Sequence, residues 1–197
     1  MFTTCKPLIL ASASPRRYQF LHDLGLNFTC LPADIEETPL PDEQPAVFAR
    51  RMAVEKAEII ANQHPASWVI GADTVVTLDG QIIGKPTDAA HALDILRTLR
   101  GKTHQVITGL AVVCQQEHCV ETLTETSEVT FADFSDAVLA AYIRTGEPLD
   151  KAGAYGIQAV GAFLVSSIQG SCSNVIGLPL SSCVALLLRR GLIASLS

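Results

Sequence analysis

Apolar positions along the chain fall into short runs separated by turn residues, and two periods alternate. Leu8–Leu10 is an unbroken apolar triplet and reads as a buried strand. It leads through Ala11-Ser12-Ala13-Ser14 into a helix over Pro15–Leu24, with Ser14 as N-cap, Pro15 at the first helical position and Gly25 just past the end. Phe28–Leu31 reads as a second strand, followed by an acidic, proline-bearing loop, PADIEETPLPDEQP, and a long helix from about Pro45 to Asn62. Trp68–Leu78 is a strand, Asp79-Gly80 a hairpin turn and Gln81–Ile83 the return. Ala89–Leu99 is a helix ending at Gly101, and Val106–Cys114 with Glu121–Phe131 forms a long strand pair. Ser135 opens a helix that stops near Gly146, Ala159–Ile168 is a strand and Leu180–Arg190 the last helix. Hairpins mixed with crossover helices predict a mixed α/β sheet with flanking helices, not a purely parallel one.

Composition narrows the class. The 197 residues are 48% hydrophobic and 17% charged, enough for a substantial core, and one domain over 1–197 is expected. No apolar run approaches the roughly 18 residues of a membrane span. The N-terminus carries no signal-peptide pattern, so a cytoplasmic protein is expected. The six cysteines form no C-x-x-C pair and are expected to be reduced and mostly buried. A net charge of −6 argues against bulk nucleic-acid binding while leaving room for a small basic pocket.

Five stretches carry candidate chemistry. Arg16 and Arg17 stand at a helix N-terminus, where the dipole disfavours cations. Either they face an anion such as phosphate, with the free N–H groups of the helix start, or both are solvated. In GADTVVTLDGQIIGKP, Asp73 lies inside an apolar strand, which is costly unless the carboxylate is paired, hydrogen-bonded or metal-bound. The hairpin brings Lys85 toward the same end of the sheet; the plain alternative is a turn-capping Asp and a surface Lys. Glu36-Glu37 is either a solvated acidic pair or a source of oxygen ligands for Mg²⁺ or Mn²⁺. LDKAGAYGIQAVGAF holds three glycines, implying close backbone approach, and Gln158, whose amide suits a base edge or simply faces solvent. The last is the polar loop GSCSNVIGLPL before the final helix. Lys56, among apolar neighbours on the long helix, reads as a snorkelling surface residue. P-loop, dinucleotide-fingerprint, H-E-x-x-H and G-x-S-x-G patterns are all absent.

Taken in order, LILASASPRR, IEE, EKA, IGADTVV, GKP, DKAGAYGIQ and GLPL resemble the Maf family of nucleotide pyrophosphatases across almost the whole chain. The resemblance implies an elongated α/β fold related to the inosine-triphosphate pyrophosphatases, with two lobes around a cleft, and a homodimer. It implies metal-dependent hydrolysis of nucleoside triphosphates between the α and β phosphates. SPRR, GADT and AGAYGIQ are similar to the branch acting on dTTP and UTP rather than on 7-methyl-GTP. Asp73 is then the catalytic carboxylate, and Glu37, Glu36 and Asp73 hold a Mg²⁺ or Mn²⁺. Ser12, Arg16, Arg17, Lys56, Thr74, Lys85 and Gln158 bind substrate, with Arg16, Thr74 and Gln158 setting specificity. Against about four negative charges on a triphosphate, Arg16, Arg17, Lys56 and Lys85 set one positive charge each. Cys172 departs from the family pattern, which has an aromatic in that loop. The rivals are the 7-methyl-GTP activity, a non-catalytic nucleotide-binding regulator of cell division and a nucleic-acid module, the last at odds with the net charge.

Overall fold

The computed structural model describes residues 1–196. In chain order the elements are β1 (Phe2–Thr4), β2 (Leu8–Leu10), α1 (Pro15–Asp23), β3 (Thr29–Cys30), α2 (Pro45–Gln63), β4 (Trp68–Leu78), β5 (Gln81–Ile83) and α3 (Ala89–Leu99). Then follow β6 (Thr103–Cys114), β7 (Cys119–Phe131), α4 (Asp136–Ile143), β8 (Val165–Gln169), α5 (Cys172–Ile176), α6 (Leu180–Arg189) and β9 (Ile193–Ser195). Three short 3₁₀ turns lie between α4 and β8, at Glu147–Asp150, Ala152–Ala154 and Val160–Leu164. The main sheet has the strand order β3-β2-β4-β6-β7-β8, with β5 paired to β4. It is mixed: β2 runs parallel to β3 and β4, whereas β4–β5 and β7–β8 are antiparallel. Among the described residues no helix is long and apolar enough to cross a membrane.

The chain divides into two compact units. The first comprises Met1–Asp73, Thr108–Glu125 and residues 177–196; the second comprises Thr74–Ile107 and Thr126–Ile176. β4 passes from the first to the second between Asp73 and Thr74.

In the first unit β2 and the first-unit parts of β4 and β6 are buried on both faces, which is why they read as continuous apolar runs. Leu8, Leu10, Trp68, Ile70, Ala72, Leu110 and Val112 pack with Leu21 of α1 and with Cys183, Leu186 and Leu187 of α6. The alternate positions Ile9, Ala11, Val69, Ala111 and Val113 pack with Ala53, Ala57, Ile60 and Ala61 of α2. The alanines at 49, 53, 57 and 61 are fully buried and recur every four residues, one stripe of the helix. Opposite the stripe stand two glycines. A Cβ on Gly71 would lie 2.1 Å from the Ala53 carbonyl oxygen, and one on Gly109 would lie 2.3 Å from that of Ala49. Small residues on both sides thus let α2 lie with its backbone against the strands.

In the second unit α3 and α4 close a core of Val76, Leu96, Leu99, Val106, Val129, Phe131, Leu139, Tyr142, Tyr155 and Leu164. β7 alternates cleanly over its last residues, with Ser127, Val129 and Phe131 buried and Thr126 and Glu128 exposed, as expected of a strand with one solvated face.

Two expectations change, and one strand pair is new. Ala159–Ile168 is not one strand: Val160–Leu164 is a 3₁₀ turn and only Val165–Gln169 is extended. The N–H groups of Val160 and Gly161 are taken by the Glu147 carboxylate and are not offered to a neighbouring strand. The six cysteines are free thiols, but only Cys114 and Cys183 are buried; Cys5 and Cys172 are exposed and Cys30 and Cys119 half-buried, because they fall on edges and turns. The antiparallel β1–β9 pair joins the two ends of the chain and has no local signal in the sequence.

Candidate active site

The first unit gathers charge just past the carboxyl end of β2 and at Asp73, midway along β4. β2 ends at Leu10, and Ser12 and Ser14 turn the chain into α1. The Ser14 hydroxyl accepts the Arg17 N–H at 3.4 Å, the N-cap expected of it, while the Ser12 hydroxyl accepts the Ser14 N–H at 3.2 Å. Ser12 also accepts from Arg17 Nη1 at 3.2 Å, and Arg17 Nε donates to the Gly177 carbonyl at 2.7 Å. Arg17 is therefore not a solvated side chain. Burial pulls its pKa below the usual arginine value; Asp73 and Glu37 oppose that shift, and the charge of Arg16 adds to it. The guanidinium remains a cation, held in one orientation by two partners on separate segments. Arg16 is half-buried beside it.

Asp73 is 7% exposed at the end of the apolar run of β4. It shares strand parity with Val69 and Gly71, whose face α2 covers. Because Gly71 admits the α2 backbone, Lys56, three residues beyond Ala53, reaches the carboxylate: its Nζ donates to Asp73 Oδ1 at 2.6 Å. The same ammonium lies 2.6 Å from Glu37 Oε1. Lys56 is 8% exposed, so its reading as a snorkelling surface residue is overturned. The apolar flanks that suggested it are the neighbours of a buried ion pair. The pairing also answers what Asp73 does inside an apolar strand, since a buried carboxylate requires a partner.

Glu36 points elsewhere and accepts from the Thr38 hydroxyl at 3.1 Å. Of the two adjacent acids, only Glu37 is joined with Asp73 through Lys56. Two carboxylates converging on one cation are a hard-oxygen donor set of the kind Mg²⁺ or Mn²⁺ uses, completed by substrate phosphate and water. Among the described residues no three His, Cys, Asp or Glu side chains gather into a metal-holding group.

The remaining sequence-derived residues lie in the second unit. Thr74 follows Asp73 on β4 and is half-buried. Lys85 is exposed beyond β5, where the Gly84 carbonyl accepts the Gly153 N–H at 3.1 Å. Gln158 is exposed on the loop between Ala154 and Val160. Sequence reasoning missed the Gly177 carbonyl as an anchor for Arg17, and Gly71 and Gly109 as the seat of α2. An in-strand glycine beside Asp73 was the available signal.

Residues 7–190 match the family model described as Maf-like protein. The dTTP/UTP pyrophosphatase of Nitratidesulfovibrio vulgaris is 52% identical over 193 residues, covering 98% of this chain and 91% of that one. The dTTP/UTP pyrophosphatase of Desulfotalea psychrophila is 48% identical over 194 residues, covering 98% and 100%. That of Myxococcus xanthus is 49% identical over 185 residues, covering 94% and 93%. Among solved structures, the Ham1 protein of Staphylococcus aureus superposes with a TM-score of 0.49 at 17% identity, covering 65% of this chain and 73% of that one.

Proposed function

The chain belongs to the Maf family, and on that premise we propose that it is a dTTP/UTP pyrophosphatase, hydrolysing the bond between the α and β phosphates to give nucleoside monophosphate and pyrophosphate. The observation that carries the chemistry is the buried Lys56–Asp73 pair, with the exposed Glu37 on the same ammonium, beside an oriented Arg17. Water attacks the α-phosphorus, the bridging oxygen leaves with pyrophosphate, and Asp73 accepts the proton of the attacking water. Held by Ser12 and the Gly177 carbonyl, Arg17 presents a fixed donor fork to charge that develops on the phosphates. Arg16, Lys56 and Lys85 add positive charge for a substrate that is strongly anionic. Lys56 also holds the two carboxylates together, so that neither drifts before substrate arrives.

A divalent cation belongs to this reading, with Glu37 and Asp73 as its protein ligands and Glu36 as the neighbouring acid. When bound it supplies Lewis acidity toward a phosphate oxygen and lowers the pKa of water. Arg16, Thr74 and Gln158 are assigned the choice of base; an amide and a hydroxyl that hydrogen-bond a pyrimidine edge reject a mismatched base because buried polar groups are left unpaired. Cytoplasmic location and a homodimer go with the same reading.

The test is pyrophosphate release from dTTP, UTP, CTP, GTP, ATP and 7-methyl-GTP, with and without Mn²⁺, by the wild-type protein and Asp73→Asn. Metal-dependent release from dTTP and UTP, reduced by about 100-fold or more in the variant, is expected. Preference for 7-methyl-GTP overturns the specificity. Release from none of the nucleotides overturns the enzymatic reading.

A further inference from the structure

The loop that carries Gln158 is built to be held at both ends. At its start, Gly153 adopts φ +72° and Ala154, a non-glycine residue, φ +57°. The Gly153 N–H is tied to Gly84. Tyr155 then enters the core: its hydroxyl lies 2.8 Å from His104 Nε2, and its ring meets Phe131 edge-on at 4.7 Å between centroids. At its end, the Glu147 carboxylate reaches across the loop. Oε2 accepts the Val160 N–H at 3.0 Å, and Oε1 accepts the Gly161 N–H at 3.2 Å and the Tyr142 hydroxyl at 3.2 Å. The Lys151 ammonium donates to the Glu147 carbonyl at 2.6 Å and so secures the residue that makes the clasp.

The geometry leaves little slack. A Cβ on Gly161 would stand 2.4 Å from Tyr142 Oη, and one on Gly156 would stand 3.2 Å from Glu147 Oε1. Both glycines are where the clasp needs bare backbone. Residues 156–159 hang between Tyr155 on one side and the clasped Val160–Gly161 on the other. Gln158 is exposed, yet the two points from which it is suspended are not free to move. Charge-assisted bonds from a carboxylate to backbone N–H groups are about twice as strong as neutral ones. Without them the first N–H groups of the 3₁₀ turn at Val160 would have no acceptor within the turn.

We propose that Glu147 is a positioning residue for base selection: it closes the loop from Glu147 to Gly161 and so fixes Gln158 where it meets the nucleobase. The proposal rests on the reading that Gln158 contacts the base. It assigns Glu147 no part in the phosphate chemistry, so its loss affects KM and base preference and leaves kcat in place. A residue that merely stabilised the fold would move neither constant selectively.

The experiment compares kcat and KM for dTTP, UTP and GTP in the wild-type protein, Glu147→Ala, Glu147→Gln, Gln158→Ala and Glu147→Ala/Gln158→Ala. The expected result is a rise in KM for dTTP and UTP of about tenfold in both Glu147→Ala and Gln158→Ala, with kcat held within about twofold. In the double variant the Glu147 change adds less than about twofold, because both act through one contact. Glu147→Gln keeps an amide oxygen to accept from Val160 or Gly161 and is expected to retain most of the wild-type KM. Amide hydrogen exchange, faster at Val160 and Gly161 in Glu147→Ala than elsewhere, locates the change at the clasp even where overall stability also falls. A KM unchanged in Glu147→Ala but raised in Gln158→Ala overturns the proposal, as does an undiminished Glu147 effect in the Gln158→Ala background. KM unchanged in Gln158→Ala shows instead that the base-reading assignment has failed, and the proposal falls with it.

Discussion

Lys56 shows what a single residue conceals in a sequence. A lysine among alanines and isoleucines on a helix has the same local pattern whether it snorkels to water or lies buried; only the approach of α2 to β4 decides it. Asp73 was legible because a charge within an apolar strand demands explanation, and Lys56 is that explanation, 2.6 Å away. His104 is another buried polar residue, 2% exposed, with Nε2 at Tyr155 and, among the described residues, no partner for Nδ1. Burial lowers its pKa to about 4 from 6.5. The folded state therefore keeps the ring neutral while the unfolded chain takes up a proton below pH 6.5, so this residue costs stability as pH falls from 6.5 toward 4. Between pH 7 and pH 4.5 the loss amounts to about 2 kcal/mol. Urea unfolding of wild-type protein and His104→Gln at the two pH values checks this: the substitution is expected to lower stability at pH 7 but to shrink the fall on acidification by about that amount.

At the level of elements, the runs bounded by turn signals emerged nearly intact, from β2 and α1 through α2, β4 and β5 to α3 and α6. What stayed hidden depended on distant partners. The β1–β9 pair closes the chain ends, and the start of β8 is displaced because a carboxylate thirteen residues earlier claims the Val160 N–H. The packing of α2 is a property of two elements together, an alanine stripe meeting glycines at 71 and 109. Gly71→Ala places a methyl group against the Ala53 carbonyl and forces α2 outward, carrying Lys56 with it. We expect a destabilisation of about 3 kcal/mol and a loss of turnover beyond what the unfolded fraction explains. Thermal unfolding with activity measured well below the midpoint separates the two. Wild-type turnover in the folded variant would show that the seat of α2 does not matter to the site.

For the whole molecule, the net charge of −6 and the local pair Arg16 and Arg17 belong together: with Lys56 already held by Asp73 and Glu37, an acidic protein that presents two adjacent arginines at one helix start suits a small polyanion better than a nucleic-acid strand. The mixed α/β architecture was legible because both-faced strands and one-faced strands leave different patterns, continuous in β4 and alternating in β7. Where the two compact units divide was not, since the chain crosses between them within β4, β6 and β7 and no linker marks those boundaries. The central claim is that water, activated at Asp73, attacks the α-phosphorus of a pyrimidine triphosphate. The measurement that tests it most directly is turnover of dTTP in ¹⁸O-water with Mn²⁺, followed by mass analysis of both products. The account predicts one ¹⁸O in the thymidine monophosphate and none in the pyrophosphate. Label in the pyrophosphate, or release of orthophosphate in its place, would contradict it.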